Sequence, residues 1–176
     1  EIPQSRYHTE RMLRYFVINL EKDGNVLTIE TGQKLIASDV HVPGDISSAA
    51  FFMIGAAIVT SSELVVRGVG LNRTRTGIID VLKQMGANIE IIDLRDVNGE
   101  PVGDVRIESA PLKGTEISGN IIPRLVDELP VICIAAAVAE GETLIKDASE
   151  LRVKESDRIT VMAECLSSMG VDVETF

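Results

Sequence analysis

Tryptophan is absent from this chain of 176 residues, and 4 Phe and 2 Tyr make up its whole aromatic content. Apolar residues still reach 45%, enough for a core of ordinary size, so that core must be aliphatic: Ile, Val, Leu, Ala and Met. Basic residues are scarce as well. Seventeen Lys and Arg face 27 Asp and Glu, for a net charge of −10. Duplex binding needs cations that displace counterions from phosphates, so nucleic acid is not expected as a partner, nor is an anionic membrane surface. Small anionic substrates stay open, because a local basic cluster can outweigh the global sign.

Cysteine and histidine are nearly missing too. Cys133 and Cys165 each lie in an apolar, helix-like run and are predicted to be reduced core thiols. His8 and His41 stand alone, and no Cys/His cluster has metal-ligand spacing, so neither metal nor cofactor is expected. The longest apolar runs, Ala49 to Val59 and Leu129 to Ala139, are too short for a bilayer and read as buried helices. No signal peptide is evident, and a cytoplasmic location is expected. The chain opens at Glu1-Ile2-Pro3, without Met, which suggests an excised segment.

What is present is a repeat. Three helical patterns end on a bulky apolar residue, Phe16, Met85 or Met169. Gly86 and Gly170 follow two of them as C-terminal stops, and Val17 is a weaker stop after the first. The spacing predicts helices near 8–16, 75–85 and 155–169, each followed by a short strand ending at Glu21, Glu90 or Glu174. Upstream, Ile46 to Thr60 and Asp127 to Ala139 read as nearly all-apolar helices, followed by strands at Glu63–Arg67 and Gly141–Lys146. Asp104–Glu108 reads as a further strand. Units of roughly 70 to 85 residues exceed common solenoid repeats and suit α/β layers with helices packed behind a sheet. Asp93 to Gly103 is a polar connection whose Asn98-Gly99 signals a hairpin. Val42-Pro43-Gly44-Asp45 breaks strand from helix and is a candidate domain crossing.

Chemistry concentrates in Glu150-Leu151-Arg152-Val153-Lys154-Glu155-Ser156-Asp157-Arg158, a stretch dense in both signs of charge ahead of an amphipathic helix. A helix starting near Glu155 places Glu155 and Arg158 on one face of its first turn, where free N–H groups attract anions. The alternative is a solvated run of internal ion pairs. In Arg124-Leu125-Val126-Asp127-Glu128-Leu129-Pro130, Asp127 or Glu128 either caps the apolar helix or, for Asp127, points toward Lys154 and Glu155. Two carboxylates beside a lysine are what removing and delivering protons in one site requires. Asn72-Arg73-Thr74-Arg75-Thr76 reads as structural or as a phosphate contact. Arg6 is either a phosphate contact or a surface cation. Ser47 and Ser48 read as cap residues, with no His placed to activate them.

At these motifs the sequence resembles the 5-enolpyruvylshikimate-3-phosphate synthases, a family of enolpyruvyl transferases. The likeness covers the whole chain and rests on Ser5-Arg6-Tyr7-His8-Thr9-Glu10-Arg11-Met12, Val42-Pro43-Gly44-Asp45-Ile46-Ser47-Ser48-Ala49-Ala50-Phe51, Asn72-Arg73-Thr74-Arg75-Thr76-Gly77, Asp127-Glu128-Leu129-Pro130 and Arg152-Val153-Lys154-Glu155-Ser156-Asp157-Arg158. The resemblance implies an α/β fold of repeated βαβαββ units in two domains, the inside-out α/β barrel. Residues 1–42 would end one domain, and 43–176 would form two units of the second. It implies transfer of an enolpyruvyl group from phosphoenolpyruvate to shikimate 3-phosphate, in a monomer when full length. Asp127 would bind the shikimate hydroxyls and take the proton of the attacking one. Lys154 would contact that hydroxyl, Glu155 would protonate the phosphoenolpyruvate methylene, Arg158 would hold its carboxylate, and Arg6 would lie near the shikimate phosphate.

The pattern departs from the family at Tyr7, usually acidic or Asn, and at Asn72-Arg73-Thr74, which usually carries Pro in the middle. The family's Lys-Ser, Ser-Ala-Gln and Gly-Asp-His-Arg segments are not in this chain. The chain alone is therefore expected to be catalytically silent and to leave an open apolar edge. The alternatives are the sister transferase acting on a UDP-amino sugar, and a non-catalytic scaffold.

Overall fold

Residues 6–176 are described by the computed structural model. They form one complete βαβαββ unit flanked by parts of two others. The complete unit starts at Gly44, whose N–H donates to the Gly68 carbonyl at 2.8 Å and whose carbonyl accepts from Gly70 N–H at 2.8 Å. A parallel bridge to Val69 results. Helix α2 (Ile46–Ile58) follows, then β3 (Glu63–Gly70), α3 (Gly77–Gln84), β4 (Asn88–Val97) and β5 (Glu100–Glu108). The three strands form an antiparallel sheet in the order β3-β5-β4. Before this unit stand α1 (His8–Tyr15) and the hairpin β1 (Leu20–Asp23) and β2 (Val26–Ile29). After it come β6 (Glu116–Ile117), α4 (Leu129–Val138), β7 (Leu144–Ile145) and α5 (Arg158–Ser168). Strands β6 and β7 pair in parallel, as Gly44 and β3 do, so both units begin with the same β-α-β crossover.

The repeat is visible in atomic detail where α1, α3 and α5 end. Val17, Gly86 and Gly170 take left-handed φ values of 67°, 90° and 88°. Each donates its N–H to a carbonyl three residues back: Arg14, Lys83 or Ser167. The following residue, Ile18, Ala87 or Val171, donates to Leu13, Leu82 or Leu166. These paired bonds are the Schellman arrangement. Val17 adopts it with a β-branched side chain that is 61% exposed, so it carries the steric penalty without compensating burial. Val17→Gly is expected to stabilise the fold by about 0.5–1 kcal/mol, with the lost conformational freedom of glycine in the unfolded chain limiting the gain. Thermal unfolding of the two variants checks this. A lower midpoint for the glycine variant would contradict it.

The core lies between the sheet and the helices. Val105 and Ile107 of β5, Met53 and Ile54 of α2, and Ile78, Leu82 and Met85 of the α3 segment are all buried in one cluster with Leu129 and Ile132 of α4. No aromatic residue belongs to it. At the hairpin, Asn98 and Gly99 form the two-residue turn with φ of 56° and 80°. Val97 pairs with Glu100 across that turn. The Asn98 side chain also clasps the leading segment, accepting from His41 N–H at 2.8 Å and donating to the Asp39 carbonyl at 3.3 Å. Helix α1 sits at the same tip, with Arg11 donating to the Gly99 carbonyl at 2.6 Å and His8 Nδ1 2.9 Å from Glu100.

Several expectations change. Asp93 to Gly103 is not a connection between units; most of it is strand, paired across the β4–β5 hairpin. Helices α2 and α4 are not buried all round, since Phe51, Phe52 and Val138 are exposed and no described element covers them. Residues 171–176 are not a strand, because a strand exists only through pairing and no partner lies alongside them among the described residues. Cys165 is exposed rather than in the core, on the solvent side of α5. Cys133 is partly buried, and burial pushes its thiol up to about 11. Ser5 lies outside the described residues.

Candidate active site

The site forms where the starts of α2, α4 and α5 meet the β3–α3 turn. Asp45 caps α2 through both carboxylate oxygens, accepting from Ser47 N–H at 3.3 Å and Ser48 N–H at 2.9 Å. The serines therefore occupy the first turn instead of the cap position predicted for them. Asp157 caps α5 through a single oxygen, its Oδ1 accepting from Ile159 and Thr160 N–H at 3.1 Å each. Helix α5 thus begins at Arg158, not near Glu155, which belongs to the loop just before the cap. Pro123 and Arg124 end a 3-10 helix over Gly119–Arg124 that leads into α4. Arg124 fixes that leader by donating to the Arg73 carbonyl at 2.8 Å and to Asp80 at 2.7 Å. Pro130 stands in the first turn of α4, where its missing N–H costs nothing.

Asp127 and Glu128 precede α4, and neither side chain caps it. They diverge. Asp127 faces outward, where Arg6 Nη2 donates to its Oδ2 at 3.2 Å and Arg158 Nη1 lies 3.7 Å from its Oδ1. Arg75 Nη2 lies 4.0 Å from the same Oδ2. Glu128 faces inward and is 2% exposed. It accepts a short hydrogen bond from Ser47 Oγ, and Arg75 lies 3.8 Å from it. Burial pushes the Glu128 carboxyl above its usual range, against the opposing bond from Ser47 and the charge of Arg75.

Glu155 meets Arg158 through two parallel bonds of 2.8 and 2.9 Å, the bidentate geometry that suits guanidinium and carboxylate. That pairing holds the Glu155 carboxyl below its usual range. A string of alternating charge therefore runs Glu155–Arg158–Asp127–Arg6 along one open face. Four of the five predicted site residues are joined by it. Lys154 is not; its ammonium bonds to Glu150.

Sequence reasoning missed three participants: Arg75, Ser47 and Glu128. Arg75 is aimed by its turn, in which Asn72 Oδ1 accepts from Thr74 N–H at 3.1 Å and Asn72 carbonyl accepts from Arg75 N–H at 2.7 Å. The available signal was polarity at the starts of two otherwise apolar helices, where Ser47 and Glu128 both stand. Among the described residues, no group of three or more His, Cys, Asp or Glu is arranged to hold a metal. No helix there is long and apolar enough to cross a membrane.

Comparison with known proteins places the chain in a family. The model of the EPSP synthase (3-phosphoshikimate 1-carboxyvinyltransferase) family matches residues 2–176. The chain belongs to the EPSP synthase family. A 3-phosphoshikimate 1-carboxyvinyltransferase of Geobacter metallireducens is 55% identical over 169 residues, covering 96% of this chain and 39% of the relative. The enzyme of the same description from Bacillus pumilus is 55% identical over 171 residues, 97% of this chain and 40% of the relative. A solved EPSP synthase from Acinetobacter baumannii superposes with a TM-score of 0.95 at 48% identity, over 99% of this chain and 40% of that one. The fold is thus the enolpyruvyl transferase fold, and the chain spans about two fifths of the length of these relatives.

Proposed function

We propose that the full-length protein carrying this chain transfers the enolpyruvyl group of phosphoenolpyruvate to the 5-hydroxyl of shikimate 3-phosphate. The hydroxyl oxygen bonds to C2 of phosphoenolpyruvate while the methylene takes a proton. Loss of that proton and departure of inorganic phosphate restore the double bond. The observation carrying this reading is the charge string Glu155–Arg158–Asp127–Arg6, which alternates two proton-transfer carboxylates with two cations suited to anionic ligands. In this assignment Asp127 takes the hydroxyl proton and Glu155 supplies the methylene proton. Arg158 leaves Glu155 for the phosphoenolpyruvate carboxylate, and Arg6 leaves Asp127 for the shikimate phosphate. Lys154 leaves Glu150, with which it makes only a partly exposed pair of the kind worth about 1 kcal/mol or less, and turns to the hydroxyl.

The same reading makes residues 1–42 the end of one domain and 43–176 two units of the other, with the opposing wall of the cleft supplied by the rest of the protein. It carries with it a cytoplasmic, monomeric enzyme that uses no cofactor. The full-length protein is expected to release phosphate from phosphoenolpyruvate when shikimate 3-phosphate is titrated in, and to give none with UDP-N-acetylglucosamine. Release with the UDP sugar alone would replace this reading with that of the sister transferase.

A further inference from the structure

Asp127 stands against three arginines, and a guanidinium bonded directly to a carboxylate occupies the lone pairs that would otherwise accept a proton. Two of the three, Arg6 and Arg158, are free to leave for ligand anions in the proposed reaction. Arg75 is different. Its side chain is only 15% exposed, and its Nη2 donates to Ser47 Oγ at 2.6 Å. Ser47 Oγ in turn donates to the buried Glu128 carboxylate. A serine hydroxyl has a single proton, so donating it inward to Glu128 leaves a lone pair facing Arg75. The same Nη2 lies 3.9 Å from Asp45, 4.0 Å from Asp127 and 3.8 Å from Glu128, so the guanidinium is suspended among three carboxylates and bonded directly to none.

We propose that Ser47 and Glu128 are positioning residues that hold the Arg75 guanidinium back from Asp127, so that Asp127 is ordered by a cation yet stays free to accept the hydroxyl proton. This rests on the reaction proposed above. Adjacent acids at the start of α4 then divide the work: Asp127 faces the ligand, and Glu128 restrains the arginine behind it. Removing the Ser47 hydroxyl, or the Glu128 charge, frees Arg75 from its present position, so that the carboxylates around it, Asp127 among them, compete for it as direct partners. The ligand contacts on Arg6, Lys154 and Arg158 are untouched. The loss therefore falls mainly on kcat.

The test uses the full-length enzyme with Ser47→Ala, Ser47→Thr, Glu128→Gln and the double variant Ser47→Ala/Glu128→Gln. Wild-type phosphate release is measured first, and circular dichroism melting confirms that each variant is folded. Ser47→Ala is expected to lower kcat by about tenfold or more, with KM for both substrates within about threefold of wild type. Ser47→Thr, which keeps the hydroxyl, should restore kcat to within about threefold. The double variant should be no slower than the slower single one, because both act through Arg75. A folded Ser47→Ala enzyme with wild-type kcat, a loss confined to KM, or multiplicative losses in the double variant would each overturn the inference. Ser47→Ala removes one oxygen atom from a half-buried residue, so it decides the matter even if Glu128→Gln fails to fold. Absence of wild-type turnover overturns the functional reading and this inference together. Wild-type turnover with an indifferent Ser47→Ala overturns this inference alone.

Discussion

Glu155→Gln in the full-length enzyme is expected to lower kcat for phosphate release by about 10²- to 10⁴-fold, the usual worth of a positioned general acid. Glu155 is tied to Arg158 by two bonds, and that arginine keeps its carboxyl below the usual range. A carboxylate held so is a poor proton donor at neutral pH. Under the proposed function, a substrate carboxylate that takes Arg158 removes the partner that holds the Glu155 carboxyl down. Glutamine keeps the size and one acceptor oxygen, so Arg158 stays ordered, but the amide has no acidic proton to give. KM for phosphoenolpyruvate should change by less than about threefold, since the proposed function gives the carboxylate to Arg158. Steady-state kinetics on the purified variant decide this. A kcat near wild type would remove Glu155 from proton transfer.

The largest expected effect on stability comes from Gly114→Ala. A Cβ at Gly114 would lie 2.1 Å from the Glu142 carbonyl oxygen, 2.5 Å from its carbon and 2.8 Å from the Glu142 nitrogen. All of these are backbone atoms, so no flexible side chain can yield. The crossing is also held tightly from both sides. Gly114 N–H donates to the Glu140 carbonyl at 2.8 Å, Lys113 N–H to Met85 at 2.8 Å, and Leu144 N–H to Thr115 at 2.9 Å. Relieving the clash moves the junction between the complete unit and the one that follows it. The expected cost is about 3 kcal/mol, at the upper end of overpacking penalties. Gly55→Ala is the control, since a Cβ there meets nothing within 4 Å and the residue lies inside α2. That variant should be neutral or more stable by up to about 1 kcal/mol. Urea unfolding followed by circular dichroism compares the two. Equal midpoints would show that the junction is softer than its bonds imply.

The architecture was legible in the sequence because helix ends are written locally. An apolar face, a bulky last residue and a left-handed stop are all chain-neighbour features, and they located α1, α3 and α5 together with their shared termination. Even the exception was visible, since Val17 stood where its two counterparts have glycine. Asn98-Gly99 was legible for the same reason. What was lost depended on distant partners. Glu155 looked like the first residue of a helix, but Asp157 has the shorter side chain that reaches the free N–H groups and so takes the cap. Residues 171–176 had a strand's pattern and no neighbour to pair with among the described residues. Cys165 shares its helix with core residues yet points away from them.

The site shows the same division. Glu155 and Arg158 are three apart, and their contact followed from spacing. Asp127, Arg6 and Arg158 come from three separate segments; the helix starts pointed Asp127 toward the Glu155–Arg158 turn, and family resemblance brought Arg6 to the same site. Arg75, Ser47 and Glu128 join across 28 and 81 residues of sequence, and no local pattern marks such a triangle. Lys154 was expected beside Asp127 and Glu155, but a nearby acid, Glu150, holds it instead.

The central claim is that this chain supplies one wall of a site whose other wall lies in the rest of the protein. Phosphate release from phosphoenolpyruvate and shikimate 3-phosphate, measured on the purified 176-residue chain with and without the remaining segments, tests it most directly. Both ligands are anions, and the chain alone offers them Arg6, Lys154 and Arg158 against a net charge of −10. Joining them requires cations on both walls and closure around the substrates. The expected result is no turnover by the chain alone and turnover once the remaining segments are supplied. Turnover by the chain alone near that of the full-length enzyme, abolished by Glu155→Gln, would contradict the claim.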